Sequence, residues 1–232
     1  MKRLPKTAQG VIALLKKAGF AAYAVGGSVR DLLMGRETAG WDFTTDAIPE
    51  QILALFPDSF YDNQFGTVGI KIKNADGATD DIYEITTFRS EKGYRDHRHP
   101  DTVLWDKTIE EDLSRRDFTI NAIAYDGINF IDPYGGQQDI TNKIIRAVGD
   151  PGARFLEDAL RMMRAIRIGA QLGFLIEEKT AGGIREHAKL ITTISAERIH
   201  DELYKLLAAD FAADGILLAK NTGLLTYILP EL

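Results

Sequence analysis

The chain has 232 residues, of which 45% are hydrophobic and 27% charged; its net charge is −6 and it has no cysteine. That length holds one large domain or two small ones around a sizeable core. The composition excludes a disulfide framework, a thiolate metal site and a uniformly basic nucleic-acid surface, though not a local cluster of Lys and Arg facing phosphates. Residues 1–10 lack the apolar core of a signal peptide, and no apolar run is long enough to span a bilayer. A reducing cytoplasm, with no membrane partner, is the expected setting, and nothing points to an obligate protein partner.

In chain order, Val11, Ile12, Leu14 and Leu15 recur at helical spacing within residues 6–18, and Gly19 closes that helix. Residues 20–25 read as a short apolar strand. A helix follows over 28–34, with Gly35 placed to stop it. Between them, Gly26 and Gly27 let backbone approach a ligand, and the helix start offers N–H groups to an anion. Arg30 and Asp31 lie in the first turn, where Arg30 can reach a phosphate; a tight turn carrying a surface arginine accounts for the same letters.

Trp41 and Phe43 alternate with Asp42 and Thr44, which predicts a short strand near 41–45 with one apolar and one polar face. Carboxylates at i and i+2 on such a strand can share Mg²⁺ for phosphoryl transfer, but position 40 is glycine, leaving Asp42. The period predicts a helix from Pro49 to about Phe56 and strands at 66–73 and 80–88, the first ending in a turn over residues 74–77. Ile82, Glu84 and Thr86 share a strand face, so Glu84 can supply a further carboxylate if its strand lies beside Asp42. An ordinary half-exposed polar position explains Glu84 equally well.

Residues 89–103 are polar and aperiodic, which predicts a long mobile loop of the kind that often carries function. A helix near 109–115, the run Arg115-Arg116-Asp117-Phe118-Thr119 and two short strands within 122–131 complete a mixed α+β part. From about Gly152 the pattern is helical: one helix over 155–172, then segments near 177–190, 196–208, 211–219 and 222–228. The expected organisation is α+β, with a head over residues 1–150 and an all-helical continuation over 151–232. In the first of these helices Asp158, Arg161, Arg164 and Arg167 fall three apart, a charged stripe beside the apolar ridge Leu160, Met163 and Ile166. A salt-bridged surface explains the stripe, and so does a template for a base edge, in which a carboxylate accepts from an exocyclic amino group while guanidinium groups donate to ring acceptors.

Seven segments in order are similar to the class II tRNA nucleotidyltransferases, a family of CCA-adding enzymes and bacterial poly(A) polymerases. They are Val25–Asp31, Asp42–Thr45, Glu84–Arg89, Arg115–Ala122, Asp132–Gly136, Glu157–Arg164 and Ser195–Ile199. The resemblance covers nearly the whole chain. It implies a nucleotidyltransferase-type head with a mixed β-sheet, then a helical neck. It further implies template-independent addition of CMP and AMP to the tRNA 3′ end from CTP and ATP, with Mg²⁺ as cofactor. Relatives adding only CC, only A, or poly(A) share the motifs, and the basic signature of the poly(A) branch is not evident here.

By that resemblance Gly27 and Arg30, with Gly26 and Asp31 in the same segment, bind the triphosphate. Asp42 holds the metal, with Glu84 as a companion carboxylate. Arg116 contacts the nucleotide and Asn121 lies near the sugar, while Asp158 and Arg161 read the base and Arg164 and Arg167 extend toward the phosphates. Two departures stand out. Gly40 replaces the first aspartate of the family's Asp-x-Asp pair, which implies weakened metal binding unless Glu37, Asp46 or Glu84 compensates. The chain also stops at Leu232, short of the body and tail regions that family members carry, so a nucleotide- or tRNA-binding homologue without turnover is the alternative.

Overall fold

The computed structural model describes residues 4–38, 40–63, 66–73, 76–92, 102–105 and 108–231. Backbone contacts divide the chain into two compact units. The first comprises residues 1–91, 103–116 and 120–137; the second comprises residues 92–102, 117–119 and 138–232.

The first unit opens with α1 (Lys6–Lys17), whose Ala8, Val11, Ile12 and Leu15 are buried at the predicted spacing. Then come β1 (Ala22–Val25), α2 (Gly27–Leu33), β2 (Asp42–Thr45), α3 (Pro49–Leu55), β3 (Ser59–Asn63), β4 (Thr67–Lys73) and β5 (Thr79–Thr87). Strands β6 (Arg89–Lys92) and β7 (Thr102–Trp105) pair as a separate two-stranded sheet. The predicted loop over 89–103 is therefore strand at both margins, and its centre, 93–101, lies outside the described residues, as do the first two residues of the turn predicted at 74–77. Helix α4 (Ile109–Ser114) and strands β8 (Ala124–Tyr125) and β9 (Phe130–Ile131) follow, and α5 (Gly136–Asn142) begins at the end of this unit.

A mixed seven-stranded sheet runs β3-β4-β5-β2-β1-β8-β9. Strand β2 lies inside it, antiparallel to β1 and parallel to β5. Its burial departs from the predicted alternation: Phe43 is buried, but so are Thr44 and Thr45, and only Asp42 is exposed. A buried threonine is tolerated when its hydroxyl finds a carbonyl, as for Thr45 and its neighbour Thr87, whereas the Thr44 hydroxyl is buried with no hydrogen-bond partner among the described residues. Thr45 Oγ1 donates to the Ala21 carbonyl at 2.6 Å, and Thr87 Oγ1 to that of Ala47 at 2.8 Å. Beside the sheet, Ile109 and Leu113 of α4 pack with Val25, Phe88 and Ala124, anchoring α4 next to the end of β1.

In the second unit, β10 (Ile144–Ile145) is followed by α6 (Pro151–Glu157), α7 (Leu160–Leu172), β11 (Leu175–Ile176), α8 (Glu178–His187), α9 (Ala196–Leu207), α10 (Ala212–Asn221) and α11 (Leu225–Ile228). Residues 117–119 belong here because their backbone pairs with residues 146–148: Thr119 N–H donates to the Arg146 carbonyl and Val148 N–H to that of Asp117. The single helix predicted over 155–172 is two. Asp158 breaks it with an extended backbone, φ −144° and ψ 106°. Its Oδ1 accepts the Leu160 N–H at 3.0 Å. A short acidic side chain that bonds local backbone competes with the helix ladder and starts a new helix instead. The ridge of Leu160, Met163 and Ile166 is buried as expected. No helix among the described residues is long and apolar enough to cross a membrane.

Candidate functional site

In the first unit the turn from β1 into α2 is built on Gly26, whose φ of 76° and ψ of −147° belong to a region that side-chain-bearing residues avoid. A Cβ placed there would stand 3.3 Å from Asp42 Oδ2 and 3.5 Å from Arg116 Nη1. Three of the residues picked out by sequence thus border one small space: glycine backbone on one side, a carboxylate and a guanidinium on the other. Burial pushes the Asp42 carboxyl above its usual range, and the nearby Arg116 charge only partly opposes that. The side chain is nonetheless open to solvent at the start of β2, so an ion or ligand can reach it.

A second group forms around Arg30. Its Nη1 donates to Asn121 Oδ1 at 2.9 Å and its Nε to Asp31 Oδ1 at 3.0 Å. Its Nη2 lies 3.4 Å from where a Cβ on Gly27 would sit. Gly27, Arg30, Asp31 and Asn121 are therefore in mutual reach. Glu84 is the register partner of Asp42 across the parallel β2–β5 pair, and both side chains are exposed. Asp46 lies at the far end of β2, roughly 13 Å along the strand, where its Oδ1 accepts the Ala21 N–H; it does not compensate for Gly40. Asp81 instead fixes position 40, accepting the Gly40 N–H on Oδ2 at 3.1 Å.

Asp112 has no part in the expected set, yet it is fully buried and holds both arginines of the Arg115-Arg116 pair. Arg115 donates Nε and Nη2 to its Oδ1 at 3.0 and 2.7 Å, and Arg116 donates Nη2 to its Oδ2 at 2.9 Å. Burial alone would raise this carboxyl, but the two guanidinium groups overcome it and hold the pKa at about 2. The signal was in the sequence, as an acid on a helix three and four residues ahead of two bases at its C-terminal end.

In the second unit the basic residues of α7 do not form a free stripe. Arg161 Nη1 donates to Glu157 Oε2 at 2.6 Å, and Arg164 donates Nε and Nη2 to Asp117 Oδ2 at 2.9 and 2.6 Å. Arg167 pairs with the buried Glu202 and donates Nη1 to Gln171 Oε1 at 2.7 Å. The charge of Asp117 raises the Arg164 pKa further, so that guanidinium is permanently charged. Asp158 stands at the α6–α7 break, outside the helical stripe, with Oδ2 accepting from Arg198 Nη2 at 2.8 Å. Glu157 lies one turn before Arg161 and fits the salt-bridged reading of the stripe, whereas Asp117, Glu202 and Arg198 come from separate segments that the spacing along α7 does not reveal.

A family model described as the poly A polymerase head domain matches residues 22–146, and one described as a probable RNA and SrmB-binding site of polymerase A matches residues 173–232. A CCA-adding enzyme of Geobacillus sp. (strain WCH70) is 47% identical over 230 residues, covering 98% of this chain and 55% of that protein. The chain belongs to this family of CCA-adding enzymes and poly(A) polymerases. Among solved structures, the Bacillus stearothermophilus CCA-adding enzyme in complex with CTP superposes with a TM-score of 0.87 at 42% identity, over 98% of this chain and 54% of that one. The Thermotoga maritima CCA-adding enzyme complexed with tRNA gives a TM-score of 0.81 at 25% identity, over 99% and 54%. The chain spans about half the length of the relatives it matches. The family's mixed sheet with accompanying helices is the fold seen here.

Nucleotidyltransferases of this kind generally use a divalent metal. Among the described residues no three acidic or histidine side chains cluster closely enough to enclose one. The adjoining carboxylates of Asp42 and Glu84 do suit a hard cation that takes its other ligands from substrate phosphates and water. The raised pKa of Asp42 agrees, since an added positive charge would offset the cost of its burial.

Proposed function

We propose that the chain performs the nucleotidyl-transfer chemistry of CCA addition, extending the 3′ end of tRNA with CMP and AMP from CTP and ATP. The observation that carries this is the convergence of Gly26, Asp42 and Arg116 on one space in a chain whose relatives are CCA-adding enzymes. The CTP- and tRNA-bound relatives point to the same substrates. The work of residues 1–150 is the head's and that of 151–232 the neck's. A cytoplasmic setting follows from tRNA as substrate.

The roles divide by chemistry. Gly26 and Gly27 let triphosphate oxygens approach backbone, and Arg30, positioned by Asp31 and Asn121, meets them with a planar donor fork. Asp42 and Glu84 would hold Mg²⁺, which would lower the proton affinity of the terminal 3′-hydroxyl and offset charge on the phosphates. The hydroxyl oxygen bonds to the α-phosphorus in line as the bond to pyrophosphate breaks, and the hydroxyl proton is released to water. Asp158 and Arg161 present acceptor and donor to the base, and Arg164 and Arg167, charge-balanced by Asp117 and Glu202, extend N–H donors toward the phosphates. The test is incubation with tRNA lacking CCA, Mg²⁺ and labelled CTP or ATP. Incorporation that Asp42→Ala removes supports the proposal; no incorporation alongside tight CTP binding overturns it.

Gly40 favours a second function, nucleotide or tRNA binding without turnover, because one acidic ligand of the family's metal pair is missing. The same assay separates the two, and labelled ATP added repeatedly to tRNA already ending in CCA would instead mark poly(A) synthesis.

A further inference from the structure

We propose that Asp112 is a positioning residue for nucleotide binding: a buried carboxylate that fixes the Arg116 guanidinium so that Nη1 faces the space over Gly26 beside Asp42. The proposal rests on the nucleotide-binding function put forward above and names a residue that function does not include.

Three observations support it. Asp112 is wholly buried, with its two oxygens committed to different arginines, Oδ1 to Arg115 and Oδ2 to Arg116. A carboxylate accepting at one edge of a guanidinium restrains that group while leaving its other in-plane donors for a ligand. Second, Arg116 has donors beyond the one given to Asp112, and one of them borders the site. Nη1 lies 3.5 Å from the Cβ position of Gly26, and Nε is buried without a hydrogen-bond partner. A buried guanidinium N–H left unpaired is costly, so Nε is a donor with a free-energy gain to be had from an acceptor. Third, the anchor is rigid. Asp112 sits on α4, whose Thr108 cap accepts the Glu111 N–H and whose Ile109 and Leu113 pack against Val25, the residue before Gly26. The helix that carries the carboxylate and the strand that leads into the glycine turn therefore share one apolar cluster. Arg116 follows directly from that helix, so its guanidinium is held before a nucleotide arrives and loses little freedom when one binds.

A purely structural role for Asp112, holding α4 to the arginines that follow it, makes a different prediction, and a double-mutant cycle separates the two. CTP binding in the presence of Mg²⁺ is measured by calorimetry for the full chain and for Asp112→Asn, Arg116→Lys and the double variant. Circular dichroism establishes the folded fraction of each. The expected result is a roughly tenfold loss for either single variant, with the double variant no weaker than Arg116→Lys alone. Losses that multiply in the double variant overturn the proposal, because Asp112 would then act independently of Arg116. If wild-type chain fails to bind CTP at all, the proposed function itself fails and this inference falls with it; binding with multiplying losses removes the inference alone.

If Asp112→Asn does not fold, arginine side-chain NMR on wild-type chain decides. Slow rotation of the Arg116 guanidinium before CTP is added, and a shift of its Nε–H on addition, is the supporting result. Free rotation in the CTP-free chain, or an Nε–H signal that CTP leaves unmoved, overturns the proposal.

Discussion

Asp42 on β2 and Glu84 on β5 are register partners across a parallel pairing inside the seven-stranded sheet, and both side chains are exposed. Neighbouring strands lie roughly 4.8 Å apart, so the two carboxylates project side by side from one face. Asp42 also borders Gly26 and Arg116, which gives it the closer relation to a bound nucleotide. Asp42→Ala is expected to lower CMP incorporation at least ~100-fold, and Glu84→Gln about tenfold. Assays at several Mg²⁺ concentrations check this. Raised Mg²⁺ should restore part of the Glu84→Gln loss and none of the Asp42→Ala loss.

Position 40 offers a test by addition. Gly40 has a φ of 71°, and a Cβ there would meet no atom within 4 Å. Gly40→Asp therefore costs backbone strain and causes no collision, and aspartate is among the residues that best tolerate this region. A strain of about 1 kcal/mol corresponds to a fall in Tm of roughly 2–4 °C for a chain of this size. The same variant restores the spacing of two carboxylates at i and i+2. Incorporation should rise at least about tenfold while Tm drops slightly. Equal activity in the two forms would show that position 40 is not a ligand position.

Much of this arrangement is legible in the letters, and the rest is lost for identifiable reasons. Local signals were strong where one element decides the outcome: the spacing of Val11, Ile12 and Leu15 places α1, and the paired glycines place the turn after β1. Signals failed where an outcome depends on partners remote in sequence. Thr44 looks like a solvent-facing residue by alternation, and its burial depends on what covers that face of the sheet, which the spacing within β2 does not record. Arg164 looks like part of an open stripe, but its partner Asp117 lies 47 residues earlier in the chain. Helix periodicity carried the prediction straight through Asp158, because apolar spacing does not register a side chain that caps its own backbone. Asp112 was overlooked for the opposite reason: its partners are three and four residues away, but its complete burial is not visible in the sequence.

That burial has a consequence for acid stability. The Asp112 pKa is held at about 2 in the folded chain against 3.8 for the ordinary group. A depressed carboxyl pKa contributes stability that is complete above the unfolded value and is lost as pH falls through the folded one. The interval implies a contribution of about 2 kcal/mol at neutral pH, lost between roughly pH 4 and pH 2. Asp112→Asn should be less stable than wild type at pH 7 by at least that amount, and the gap should narrow through this acid window. Urea unfolding at stepped pH measures it. A gap that stays constant from pH 7 to pH 2 would mean the carboxylate charge contributes nothing.

Asp158 combines a structural duty with the proposed choice of base, and the two can be measured apart. Its Oδ1 caps α7 through the Leu160 N–H and its Oδ2 accepts from Arg198. Asp158→Ala removes the cap, a loss of about 1 kcal/mol, together with the acceptor proposed for the amino group of cytosine or adenine. Asp158→Asn keeps a carbonyl oxygen for the Leu160 N–H but turns the other position from acceptor to donor, opposing both Arg198 and an amino group. Thermal melts should therefore rank Asp158→Ala as a modest destabilisation. In incorporation assays with each of CTP, ATP, GTP and UTP, the preference for CTP and ATP should shrink roughly ten- to a hundredfold in both variants. Discrimination that survives in Asp158→Asn at wild-type level would remove this residue from base selection and leave it the helix cap alone.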